Sequence, residues 1–254
     1  MSTVGKTGLI AAGVAAGSLA AVIMVADGGR GVLVALVIAA VGFLLVSRVR
    51  KASRRAAVED QARRLGFSFS PRDPFGLLDL DFDLFVRFGK LPGTQGVENV
   101  VWGVRDGREV RAFDYWRAAE DEPERFSCAM ARIPDGWPSL LVRRQGPFDV
   151  ARNAIGLRDV KFELEAFNRL FEVRAADRRF ASGVVDQRMI AWLLEPGPVH
   201  GFQLHRGWLL AWMPRLQPWE LERALAIAEA FHERIPRAVW SLYGDARPAR
   251  PDLG

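Results

Sequence analysis

Asn99–Tyr115 reads NVVWGVRDGREVRAFDY. Two alternating runs flank Asp106-Gly107, a dipeptide that supplies the two positive-φ positions of a tight hairpin turn. Asn99–Arg105 and Glu109–Tyr115 are therefore expected to pair as an antiparallel hairpin. Downstream the period stays at two. Arg125–Ile133 places Phe126, Cys128 and Met130 on one face and Ser127, Ala129 and Ala131 on the other, and Ser139–Arg143 is a further short strand. Upstream, Phe67-Ser68-Phe69-Ser70 alternates as well. Pro71–Gly96 is rich in proline and glycine and is expected to be irregular.

The C-terminal third changes character. Phe148–Ile155, Asp177–Val184 and Gln187–Leu194 read as helices, while Phe162–Val173 fits neither period. Pro196-Gly197-Pro198 interrupts the chain before a last hairpin, Val199–Leu204 with Gly207–Met213, turning near His205-Arg206. Gln217–Ile235 is the clearest helix. Pro218 and Glu220 suit its first turn, and Leu221, Leu225, Ala228, Phe231 and Ile235 form one apolar stripe. Strands in hairpins with helices grouped around them argue for α+β, an antiparallel sheet covered on one face by helices.

The composition of the 254 residues, 26% charged and 50% hydrophobic, excludes long disorder, collagen and a disulfide scaffold. One cysteine cannot form an internal bridge or a cysteine-rich zinc site. The apolar residues crowd at the front: Lys6, Asp27, Arg30 and Arg48 are the only charges before residue 50. Thr7–Ala26 and Gly31–Ser47 are uncharged and span roughly 30 and 26 Å as helices. With Asp27-Gly28-Gly29-Arg30 between them they predict a transmembrane two-helix hairpin (helices about 7–26 and 31–47 within residues 1–50).

A basic juxtamembrane helix (51–66) follows, then the soluble α+β domain (67–243) and a disordered tail (244–254). Arg48, Arg50, Lys51, Arg54, Arg55, Arg63 and Arg64 against Glu59 and Asp60 account for the net charge of +5. By the positive-inside rule this flank places the domain in the cytoplasm, as a two-pass protein of the cell membrane. The expected partners are the lipid bilayer, anionic headgroups through Arg48, Arg50, Lys51, Arg54 and Arg55, and a protein of unknown identity. Nucleic acid is not expected, because the rest of the chain is charge-balanced and carries no basic stripe with interleaved aromatics. Gly13-x-x-x-Gly17 offers a helix-association face or simply packing within the hairpin.

Catalytic and metal motifs are scarce. Gly5-Lys6-Thr7 lacks the strand and the earlier glycine of a phosphate loop. Asp79, Asp81 and Asp83 alternate with Leu and Phe, but an EF-hand counted from Asp79 would place Leu84 and Lys90 where glycine and glutamate belong. Their expected arrangement is acids outward and apolar residues inward. Cys128 sits mid-strand as a small hydrophobe. His200, His205 and His232 lack the spacing of a zinc site, and neither Gly-x-Ser-x-Gly nor His-Glu-x-x-His occurs.

No cofactor and no metal is expected. Asp114 and Tyr115 in an apolar strand, and Asn168 between Phe167 and Phe171, are the candidate buried polar positions. Such groups need hydrogen-bond partners. The function expected is a membrane-tethered binding or scaffolding module, with a hydrolase whose site is assembled from distant residues as the alternative.

Several short pieces occur in a telling order: Ala62-x-x-Leu65-Gly66-Phe67, Asn99-Val100-Val101-x-Gly103, Phe113-Asp114-Tyr115, Phe167-Asn168-x-x-Phe171-x-Val173 and Ile235-Pro236. Together they resemble a family of uncharacterised actinobacterial membrane proteins, over roughly residues 52 to 242. The resemblance implies a short anchor followed by one soluble domain, and implies no activity or catalytic residue.

Overall fold

The computed structural model describes residues 30–85, 93–119, 122–145, 156–197 and 201–244. The Thr7–Ala26 run, the Gly13 and Gly17 face, the expected helix at 148–155 and nearly all of the tail lie outside them. The chain divides into two compact units, Met1–Ala56 and Ala57–Gly254.

The first described element is a single helix, α1 (Arg30–Arg64). This corrects the two-helix transmembrane hairpin. The second apolar run does not end as a separate helix at Ser47, because the basic stretch behind it has no glycine or proline until Gly66 and its residues are good helix formers. Polarity changes at Arg48, but helix propensity does not. Arg48, Arg50 and Lys51 follow the run directly, so the apolar part falls short of the roughly 20 residues a spanning helix needs. Among the described residues no helix is long and apolar enough to cross a membrane. The multi-pass membrane location, and the cytoplasmic orientation deduced from it, are overturned on the same finding.

The larger unit is built on one nine-stranded antiparallel sheet. The strands are β1 (Ser68–Arg72), β2 (Gln95–Arg105), β3 (Arg108–Arg117), β4 (Glu124–Arg132), β5 (Leu140–Arg144), β6 (Arg158–Asp159), β7 (Phe171–Ala175), β8 (Gly201–His205) and β9 (Trp208–Pro214). Their spatial order is β1-β2-β3-β4-β9-β8-β5-β7-β6. The β2–β3 hairpin turns at Asp106 (φ 49°) and Gly107 (φ 74°), and the β8–β9 hairpin at Arg206 (φ 48°) and Gly207 (φ 76°). These are the paired left-handed residues that match strand twist. A bulge between Glu98 and Val101 breaks the β2–β3 register, with Asn99 at φ 54°. Asparagine tolerates that conformation better than most residues.

Both faces of the central strands are buried. One face, with Ala129, Leu140, Val173, Phe202 and Leu209, packs under the helices α2 (Glu165–Leu170), α3 (Arg178–Val184), α4 (Gln187–Leu194), α5 (Leu221–Arg234) and α6 (Arg237–Tyr243). The ambiguous Phe162–Val173 segment thus contains all of α2 and the first three residues of β7. On the opposite face Phe113, Tyr115, Cys128, Met130, Leu210 and Trp212 pack against Leu77, Phe82, Leu84 and Phe85. The acidic-apolar segment does turn its Leu and Phe side chains inward, but as two short 3-10 turns, Leu77–Leu80 and Asp83–Phe85. The Asp73 carboxylate accepts from the Phe75 and Leu77 amides at 2.9 and 2.6 Å and starts this cover. Val58 and Ala62, on the last turns of α1, are buried beside Val101.

Capping aspartates set the helices on the sheet. Asp177 accepts from the Arg179 and Phe180 amides at 2.7 and 3.0 Å, and Asp186 from the Met189 amide at 2.8 Å. Such a cap satisfies orphan N–H donors of the first turn. Asp177→Ala should lower stability by about 1 kcal/mol, read as a shift of the urea midpoint at unchanged slope.

Candidate functional site

The structure places the three candidate polar residues in three separate settings. Asp114 lies on β3, facing the helices, opposite Ser127 of β4. Its carboxylate accepts from the Asn99 side-chain amide at 2.8 Å and lies 3.8 Å from the Arg215 guanidinium. Ser127 Oγ accepts from the Leu216 backbone amide at 3.0 Å. The group therefore fastens the β2 bulge and the chain leading into α5 to the middle of the sheet. Tyr115, the next residue, points to the other face. Its hydroxyl bonds Gln95 Oε1 at 2.8 Å and the Leu84 carbonyl at 3.2 Å. Burial raises its pKa further above neutrality, so it remains a phenol that donates a proton. Asn168 closes a reciprocal pair with Phe162, whose amide donates to Asn168 Oδ1 at 3.0 Å while Asn168 Nδ2 donates to the Phe162 carbonyl at 2.6 Å. Its side chain substitutes for a backbone partner.

Cys128 is fully buried. Burial, and secondarily the Asp114 charge, pushes its thiol up, away from the reactive thiolate. Asp79, Asp81 and Asp83 do not converge. Asp81 faces Arg206 at 3.4 Å and Asp83 faces Arg143 at 3.6 Å. Among the described residues no cluster of three His, Cys, Asp or Glu side chains could hold a metal.

One pair of chemically capable residues remote in sequence does meet. Ser139 Oγ lies 2.7 Å from His205 Nδ1. Burial, and then the neighbouring Arg206 charge, lowers the His205 pKa, which keeps the imidazole neutral and able to accept the serine proton. A nucleophile–base pair also needs a third group orienting the base. The nearby acid, Asp81, is turned to Arg206, and the Phe82 ring packs against the imidazole with centroids 5.9 Å apart.

A concave feature lies on the helical side of the sheet among the described residues. A cavity of about 140 Å³ is lined by Phe171 of β7, Phe202 of β8, Trp192 and Leu193 of α4, Ile227 of α5, the Glu195-Pro196-Gly197 connector and Arg144 at the end of β5. The Phe202 ring is tilted against Phe231 with centroids 4.4 Å apart and against Trp192 at 5.7 Å. The Trp192 indole is covered on its own account by the Arg234 guanidinium at 4.6 Å. Arg144 lies 5.3 Å from the Phe171 ring centroid. No pattern along the chain announces this site, because its lining comes from three strands, two helices and a connector. The nearest local signal is Pro196-Gly197, within the Pro-Gly-Pro that interrupts the chain before the last hairpin.

No family model and no curated protein matches the chain. Among solved structures the fold is similar to that of the mycobacterial trehalose monomycolate transport factor A, TtfA, with a TM-score of 0.55 and 16% identity, over 79% of this chain and 98% of that one. At that identity the likeness is one of fold.

Proposed function

We propose that the domain is a non-catalytic binding module whose ligand seats an apolar group in the cavity beside Trp192. The observation that carries the reading is the lining: Phe171, Trp192, Leu193, Phe202 and Ile227 give it a mainly apolar wall, with Arg144 and Glu195 as its charged residues. Few, pre-formed, mainly apolar concavities are the usual form of a ligand site. The similar fold of a protein named as a transport factor supports an accessory role, in which cargo or partner is held and not transformed. The basic half of α1, with Arg48, Arg50, Lys51, Arg54 and Arg55, adds a cationic surface suited to anionic headgroups.

Toluene titrated into the protein should give saturable NMR shifts of methyl groups lining the cavity. Ile227→Trp should abolish them, and Trp219→Ala, at an exposed position, should not. Absence of saturable shifts in the unaltered protein would reject this reading. The second reading, a hydrolase, is favoured by the Ser139–His205 contact alone. If Ser139 were an activated nucleophile, a fluorophosphonate reagent would label it and Ser139→Ala would remove the label. We expect no labelling.

A further inference from the structure

The cavity lining carries two opposite charges, Arg144 and Glu195. We propose that it recognises a free apolar α-amino acid, with the side chain in the cavity, the α-carboxylate on Arg144 and the α-ammonium at Glu195. This rests on the binding-module reading and names the ligand class of that site.

Size is the first argument. At about 140 Å³, the space is close to the roughly 150 Å³ of an apolar cavity known to take benzene. A phenyl or branched aliphatic group matches that volume. Charge is the second argument. Arg144 and Glu195 both line the cavity, yet among the described residues neither forms an ion pair with the other or with any third side chain. Most arginines on this sheet are engaged: Arg143 and Arg174 pair with Glu172, Arg117 with Glu124 and Arg111 with Glu109. Arg144 instead rests on the Phe171 ring, which desolvates one side of the guanidinium and leaves its N–H fork for a carboxylate. Glu195 is the residue that ends α4. An ammonium placed there meets both its carboxylate and the negative end of the helix dipole. Reversing the ligand would set like charges together at both points.

The test uses the full chain and four probes: L-phenylalanine, 3-phenylpropionate (no ammonium), phenethylamine (no carboxylate) and toluene (neither). Each is titrated by calorimetry and by methyl NMR. L-Phenylalanine should bind at least about tenfold more tightly than either half-molecule, the effect of one charge-assisted hydrogen bond. Arg144→Gln should bring phenylalanine down to the level of phenethylamine and leave phenethylamine unchanged. Glu195→Gln should bring it down to the level of 3-phenylpropionate. L-Tryptophan should bind less tightly than L-phenylalanine. If toluene binds and the three charged probes are equivalent, the amino-acid assignment is wrong and the binding-module reading stands. If none of the four binds, both are wrong. The comparison of probes on the unaltered protein does not depend on any variant folding.

Discussion

Phe231→Ala should destabilise the protein by about 3–5 kcal/mol, the range for a fully buried aromatic cut back to a methyl. Phe231 is 0% exposed on α5. Its ring lies 4.4 Å from that of Phe202 of β8, tilted, and 6.2 Å from that of Trp192 of α4. It thus joins two helices to one strand, and removing it opens a void that three elements would have to collapse together to fill. Because close-packed interiors relax only partly, the full transfer cost and most of the cavity cost should appear. Urea unfolding reads the result as a lower midpoint at unchanged slope. Phe231→Leu, which keeps most of the volume, should cost less than about 1.5 kcal/mol. Trp219→Ala should stay within about 0.5 kcal/mol, since Trp219 is 70% exposed. Equal losses for Phe231→Ala and Trp219→Ala would mean that α5 is not packed on the sheet as described.

The second large effect is a loss of stability in acid that one histidine controls. His232 is the residue after Phe231 on α5. It is buried against the Trp240 ring, with centroids 4.9 Å apart. Burial, and then the Arg108 charge, lowers its pKa from 6.5 to about 4. The folded state therefore holds a neutral imidazole where the unfolded chain takes up a proton. A depressed folded pKa gives stability that is whole above pH 6.5 and is lost as pH falls from 6.5 towards 4, by up to about 3 kcal/mol.

Two other groups act in overlapping ranges. His205 is lowered as well, by burial and then Arg206, and works in the same direction. Burial raises the Glu229 pKa against the opposing Arg105 charge, so that carboxyl loses stability as pH rises and works the other way. The difference between the unaltered protein and His232→Phe isolates His232, because phenylalanine can keep the ring contact and cannot titrate. Urea midpoints of the two proteins should keep a constant offset near pH 7, and the histidine protein should fall progressively below that offset as pH drops from 6.5 to 4. Parallel pH profiles would place the His232 ring in solvent.

The polar positions show how far residue pattern alone reaches. Asp114, Tyr115 and Asn168 stand out along the chain because each interrupts an apolar run, and the structure gives each a hydrogen-bonded partner. Which partner could not be read in advance. Asn99, Gln95 and Arg215 are brought in by the β2 bulge, the β2–β3 register and the turn into α5. The Ser139–His205 contact likewise exists only because β5 lies next to β8. The transmembrane hairpin failed for a different reason. The change from apolar to basic residues at Arg48 separates two expected helices, about 31–47 and 51–66, while the backbone carries one helix through it from Arg30 to Arg64. Hydropathy describes the surroundings a segment prefers, and helix propensity describes the backbone; here the two do not change at the same residue.

Short-range physics was legible in the chain. Asp106-Gly107 sets a hairpin because only two neighbouring residues need positive φ. Asp177 and Asp186 begin helices because a carboxylate reaches an amide two or three residues on. The alternation of β4 assigns its two faces because the pleat repeats every second residue. Tertiary packing alone decided the rest: the insertion of β5 between β8 and β7, the cover that residues 73–85 give the second face, and the cavity whose lining residues lie up to 83 positions apart, from Arg144 to Ile227. Those features are governed by which apolar surfaces can be buried against one another at once, a condition on the whole chain that no local window contains.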